Sequence, residues 1–64
     1  MNNEPITISA ELTDSQAYAL AQFFKRVTFD DFRKRALNDD DAYQMQQAVM
    51  LVREALAKAG YEPR

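Results

Sequence analysis

Apolar and polar side chains alternate between residues 6 and 12. The apolar positions of this segment are Ile6, Ile8, Ala10 and Leu12. A period of two predicts a β-strand with one buried face. A single strand leaves its backbone hydrogen-bonding groups unpaired, so we expect it to pair with the same strand of a second copy. The pattern therefore predicts a homodimer joined through a two-stranded antiparallel ribbon.

The rest of the chain has the spacing of three helices. The first begins at Thr13, which forms a capping-box pattern with Gln16, and the second begins at Thr28. The third follows Asn38, runs over roughly 40–59 and ends at Gly60, after which Tyr61 folds back. We therefore predict a mainly α fold, one N-terminal strand and three helices, in a single domain 1–64 whose residues 1–5 are frayed.

Helical periodicity also predicts which side chains form the core. In the first helix these are Ala17, Leu20, Phe23, Phe24 and Val27; in the second, Phe29, Phe32 and Ala36, with Leu37 closing the core. In the third helix they are Ala42, Met45, Ala48, Val49, Val52, Ala55, Leu56 and Ala59.

The composition narrows the class of protein. The chain has 64 residues, no cysteine and a net charge of −2. A core this small needs a cross-link such as a disulfide, or a partner subunit, to be stable. Because the chain has no cysteine, dimerisation is the commonest way to supply that stability. No apolar run is long enough for a membrane span, and the first residues do not resemble a signal peptide. We therefore expect a cytoplasmic protein that does not enter the membrane.

The sequence offers little for catalysis. Histidine and cysteine are absent, and Gly60 is the single glycine, so the commonest base, nucleophile and phosphate-binding loop are missing. Asp39, Asp40 and Asp41 lack the spacing of a calcium loop and suit the start of a helix instead. We predict no enzyme activity, no catalytic or metal-binding residue and no cofactor.

Residues 6–37, a strand followed by two helices, resemble the ribbon-helix-helix repressors. That resemblance implies a strand-paired dimer whose outward residues, here Thr7, Ser9 and Glu11, read DNA. The family's glycine-containing turn is replaced by residues 26–28, and residues 1–24 contain no base. Since DNA affinity depends on neutralised phosphates, DNA binding is the second hypothesis.

Residues 12–64 also resemble a group of small uncharacterised bacterial proteins that often occur on mobile elements. The segments that carry this resemblance are Leu-Thr-Asp-Ser-Gln-Ala, Ala-Gln-Phe-Phe-Lys-Arg-Val, Ala-Tyr-Gln-Met and Ala-Gly-Tyr-Glu-Pro-Arg. The resemblance implies a phage- or plasmid-borne accessory protein, and such proteins include inhibitors of host defence complexes. Our first hypothesis is therefore non-catalytic protein binding, with a purely structural subunit as a weaker alternative.

A second apolar stripe on the third helix predicts a binding surface. Tyr43 and Met50 lie seven residues apart, away from the predicted core face, and Tyr18 lies outside the core face of the first helix. Tyrosine and methionine are enriched at protein interfaces, and Arg33 and Arg35 can orient a charged partner. The predicted partner-binding residues are thus Tyr43, Met50, Tyr18, Arg33 and Arg35, with burial of the stripe by a dimer mate or by the first helix as the alternative.

Overall fold

A computed structural model describes residues 4–61 of the chain, and within that range the fold consists of three helices. Helix α1 spans Asp14–Arg26, α2 spans Phe29–Arg35 and α3 spans Asp39–Lys58. Both α1 and α2 pack on α3, which is the longest element. The predicted mainly helical fold is confirmed.

The predicted strand and the ribbon dimer are wrong. Residues 5–13 have no regular secondary structure, and Ile6 and Ile8 are 85% and 80% exposed. Ala10 and Leu12 are exposed as well. Alternation gives a strand only where a second backbone accepts its hydrogen bonds, and no described segment of this chain does so. Of the residues expected to fray, 1–3 lie outside the described range.

The capping residues that the sequence predicts, Thr13, Thr28 and Asn38, each precede a helix. Gln16 donates its backbone N–H to Thr13 Oγ1 at 3.1 Å, and the N–H of Thr13 donates to Gln16 Oε1 at 2.9 Å. Thr28 and Asp31 form the equivalent reciprocal pair at the start of α2. Asn38 Oδ1 accepts from the N–H of Asp41 at 2.9 Å. These bonds satisfy N–H groups that have no partner within the helix.

Helix α3 ends in a Schellman motif. Gly60 has a φ of +100°, its N–H donates to the carbonyl of Ala57, and the N–H of Tyr61 donates to the carbonyl of Leu56 at 2.9 Å. The motif turns Tyr61 back onto the core, where its hydroxyl donates to Asp14 Oδ1 at the start of α1. The predicted glycine terminus and the folded-back tyrosine are both confirmed.

The core is small and lies between α1 and α3. Its buried members are Ala17, Ala21, Phe24 and Leu56, and the partly buried Leu20, Val49 and Tyr61 pack against them. Because Asp14 contacts Tyr61, α1 begins near the end of α3 and runs back toward its start. Helix α2 covers the first part of α3, where Ala42 is fully buried.

Several predicted core positions are exposed. Phe23 is 56% exposed and Leu37 is 93% exposed, because the chain turns sharply away on either side of α2. Ala21, which was not among the predicted core residues, is buried in place of Phe23. Four predicted core residues at the α3 end of the chain are exposed, because they face away from α1 and α2: Ala48, Val52, Ala55 and Ala59.

The chain is more open than a folded monomer of its size. It exposes 5740 Å², about 1,500 Å² more than the roughly 4,200 Å² expected for 7.4 kDa. Its radius of gyration is 12.8 Å, against about 10.7 Å expected for 64 residues. Residues 4–13, all of them exposed and without regular secondary structure, account for part of this excess, and exposed apolar side chains on the helices, such as Phe23 and Leu51, add to it.

Candidate functional site

An open groove lies at the corner where α1 gives way to α2. It encloses about 280 Å³ and is lined by Phe23, Arg26, Val27, Asp31, Phe32 and Arg35. The aromatic rings and Val27 supply apolar surface, while two guanidinium groups and one carboxylate supply charge. We call this feature the corner groove.

Two extended residues create the corner groove. Val27 and Thr28 have ψ values of 140° and 166°, so the helical path stops after Arg26 and restarts at Phe29. The capping box of Thr28 and Asp31 fixes where α2 begins. As a result, Phe23 on the last turns of α1 and Phe32 on α2 line the same groove.

The carboxylate of the groove is held by this cap. The Asp31 Oδ2 atom accepts the Thr28 N–H at 2.8 Å and the Thr28 hydroxyl at 3.1 Å. The backbone hydrogen bond from Thr28, followed by that of the Thr28 hydroxyl, lowers the pKa of Asp31 below its ordinary value of 3.8. Asp31 is therefore ionised at neutral pH and engaged locally.

The groove arginines form no ion pair with a described carboxylate, although the charge of Arg35, after the hydrogen bonds from Thr28, helps to lower the pKa of the nearby Asp31. The ion pairs found within residues 4–61 use Arg33 with Asp39 at 3.5 Å and Lys34 with Asp30 at 3.3 Å. Arg26 is in neither pair, and Arg35 donates from one guanidinium nitrogen to the carbonyl of Asp31 at 3.1 Å. A carboxylate brought by a partner would therefore meet positive charge at the rim.

The predicted partner-binding residues do not form one site. Arg35 lines the corner groove, whereas Arg33 is paired with Asp39 at the start of α3. Tyr18 is 61% exposed on the first turns of α1. Because α1 runs antiparallel to α3, Tyr18 lies about 20 Å along the helix axis from Tyr43.

Tyr43 and Met50 lie on the side of α3 next to α2. Each is slightly more than half exposed, but the Tyr43 ring lies 4.8 Å from the Phe29 ring. Tyr43 thus helps to hold α2 on α3 as well as presenting surface. The prediction that these residues bind a partner remains a prediction.

Sequence reasoning missed four groove residues as a set: Phe23, Arg26, Val27 and Phe32. Helical periodicity predicts Phe23, Val27 and Phe32 as core residues, and it gives no reason to group them with Arg26. The signal in the sequence is the capping pair Thr28 and Asp31. It marks the start of a new helix, with Phe23 before that start and Phe32 after it.

The model of DUF7706, described as a family of unknown function, matches residues 1–64. The chain belongs to this family. The match agrees with the expected resemblance to proteins without an established activity, and the DUF7706 description adds neither an origin nor a partner. No curated protein and no solved structure matches the chain.

Two further observations concern residues 4–61 of this DUF7706 protein. None of the helices described is long and apolar enough to cross a membrane. No group of three or more potential ligand side chains is arranged there to hold a metal ion. Two of the three consecutive aspartates, Asp39 and Asp41, have structural partners: Asp39 in the ion pair with Arg33, and Asp41 in a bond from the N–H of Leu37 at 3.0 Å.

Proposed function

We propose that the protein is a non-catalytic binding protein that captures a segment of another protein in the corner groove. The observation that carries this proposal is the half-exposed Phe23 beside Arg26 and Arg35, neither of which is in an ion pair with a described carboxylate. Aromatic and arginine side chains dominate the binding free energy of many interfaces.

The chemistry of the groove defines the segment that would fit. Phe23, Val27 and Phe32 offer apolar contact, so the partner would insert an apolar side chain. The rim arginines would pair with a nearby Asp, Glu or terminal carboxylate of that partner. The proposed ligand is therefore an acidic segment with one large apolar residue.

We further propose that the protein is a cytoplasmic accessory or inhibitory protein of a phage or mobile element, with a host defence complex as one target class. The resemblance of residues 12–64 to small proteins of mobile elements supports the origin, and the lack of cysteine fits the compartment. The exposed apolar side chains on the helices support action by binding.

The test is capture of partners from the native host, followed by titration of the purified partner. Phe23→Ala and Arg26→Ala should each weaken binding at least about 30-fold, the equivalent of about 2 kcal/mol. Both residues are exposed, so the helical circular dichroism should stay unchanged; Phe23→Ala should lower the melting temperature slightly, because its ring centroid lies 5.9 Å from that of the buried Phe24. Lys25→Ala is the matched control, because Lys25 is exposed on the same turn outside the groove lining.

Other outcomes would redirect the proposal. If the groove variants bind normally while Met50→Ala loses capture with unchanged melting, the surface is the Tyr43–Met50 stripe. A salt-resistant, sequence-specific gel shift at nanomolar protein would favour a DNA-binding regulator. That regulator would need a reading element other than the ribbon, which this fold does not contain within residues 4–61.

A further inference from the structure

Helix α3 has a second apolar face that neither α1 nor α2 covers. It consists of the exposed residues Ala48, Leu51, Val52, Ala55 and Ala59. At 100° per residue these lie within an arc of about 100°, turned roughly 100° away from the buried Ala42, Val49 and Leu56 side. We call it the outer face of α3.

From these observations we infer that the outer face of α3 binds a second copy of this chain, with the two α3 helices antiparallel. Its spacing, its charge and its exposed apolar side chains each support a helix of the same kind as the occupant. The corner groove lies on α1 and α2, so this interface is independent of the proposed partner site.

The spacing suits a helix pair. Met45, half-buried at the edge of the face, begins a series that continues through Ala48, Val52, Ala55 and Ala59 in alternating steps of three and four. This mean spacing of 3.5 keeps a seam on one side of a helix over several turns. Alanine at three of the five positions lets a second helix approach closely.

The charges select the antiparallel orientation. Asp39, Asp40 and Asp41 occupy the first turn of α3, and Lys58 lies in its last turn. A parallel pair would bring the two aspartate clusters together, whereas an antiparallel pair sets Lys58 beside the aspartates of the second copy. The helix dipoles favour the same orientation. In this antiparallel pair, Ala48 lies opposite Val52 of the other copy, and Met45 lies opposite Ala55.

The exposure of the large apolar side chains on this face supports the same occupant. Part of the roughly 1,500 Å² that the chain exposes beyond the expectation for a monomer lies on α3, and the rest includes residues 4–13, which are exposed and have no regular secondary structure. A dimer through α3 would bury Leu51 and Val52, now 67% and 37% exposed. It would also enlarge a core that has only two large side chains, Phe24 and Leu56, below 9% exposure.

The first experiment measures mass and folding together. Multi-angle light scattering of the wild type at 100 μM should give about twice 7.4 kDa. Ala55→Glu should shift the protein to monomer and weaken self-association at least tenfold. Gln47→Glu is the control, since it adds the same charge on an exposed position of α3 outside the outer face. A monomeric wild type, or an unchanged dimer in Ala55→Glu, overturns the inference. A monomeric wild type that Ala55→Glu destabilises would point to residues 4–12 covering the face instead.

The second experiment tests orientation, using the lack of native cysteine. In the antiparallel pair Leu51 lies about 3 Å along the axis from its counterpart, whereas Gln44 lies about 18 Å from its own. A short bifunctional maleimide should therefore cross-link Leu51→Cys but not Gln44→Cys. Cross-linking of both variants indicates a parallel pair, and cross-linking of neither indicates another interface. Either result overturns the proposed arrangement.

Discussion

Two leucines, Leu56 in α3 and Leu37 just before it, differ sharply in burial. Leu56 belongs to the buried cluster with Phe24, whereas Leu37 is 93% exposed between α2 and α3. Leu56→Ala should lower the free energy of unfolding by about 2–5 kcal/mol through lost burial and a cavity. Leu37→Ala, the same chemical change, should stay within about 0.5 kcal/mol of wild type. Urea unfolding of both variants measures the difference; equal losses would place the core elsewhere.

Tyr61 links stability to alkaline pH. Its hydroxyl donates to Asp14, and this hydrogen bond, followed by burial and the Asp14 charge, raises the pKa of Tyr61 above its ordinary value of 10.0. The contribution is fully present below pH 10 and is lost as pH rises through the raised pKa. Wild type should therefore be more stable than Tyr61→Phe at pH 8, and the gap should close at higher pH. A gap that is constant from pH 8 to pH 11.5 would contradict this role.

At the scale of elements, the shortest helix depends on its cap. Helix α2 has seven residues, none of them fully buried, so the cap that fixes its first turn should add measurably to what its packing on α3 provides. Thr28→Ala removes the hydroxyl that accepts from Asp31 N–H, and should cost about 1 kcal/mol. Thr28→Ser keeps the hydroxyl and should recover most of that loss. Chemical denaturation compares the two; an equally destabilised serine variant would show that the Thr28 methyl group matters instead.

The end of α3 depends on one backbone conformation. Gly60 has a φ of +100°, and a Cβ built on it meets no atom within 4 Å. Gly60→Ala should therefore lose about 1 kcal/mol from backbone strain alone, without a steric clash. Gly60→Asn should lose less, because asparagine adopts positive φ more readily. Thermal melts of the two variants check the order, and a neutral Gly60→Ala would mean that the turn relaxes.

Elements whose signals are local could be predicted from the sequence, and those set by distant contacts could not. The caps at Thr13, Thr28 and Asn38 lie within four residues of their partners, so their side chains specify them directly. The strand depended on a non-local backbone partner, which alternation of apolar residues does not supply. The corner groove depends on the backbone angles of Val27 and Thr28, which relate two helices that the sequence pattern describes separately.

The third helix shows the same limit on a larger scale. Periodicity located a broad apolar face on α3 but could not tell which half the shorter neighbours would cover. Ala42, Val49 and Leu56 lie against α1 and α2, whereas Ala48 and Ala55 are exposed and Val52 keeps 37% of its surface exposed on the other side. Helical periodicity therefore shows which side of α3 is apolar, but it does not show which of those apolar residues are buried.

For the whole molecule, the exposed apolar area predicts a stability that depends on protein concentration. If two copies associate in the folded state, mass action raises the melting temperature with concentration. Wild type should melt higher at 200 μM than at 5 μM, and Ala55→Glu should show no such change. Calorimetry at the two concentrations tests this expectation, with Gln47→Glu expected to follow wild type.

The contact between Tyr61 and Asp14 also decides how the molecule should be presented to a partner. It fixes the end of the described chain at the start of α1, about 14 Å along the helix from Phe23 in the corner groove. An immobilisation anchor attached close to Tyr61 would therefore lie near the end of α1 that is opposite the groove. Bait coupled in this way presents the groove outward, whereas an anchor inserted between α1 and α2 would obstruct it.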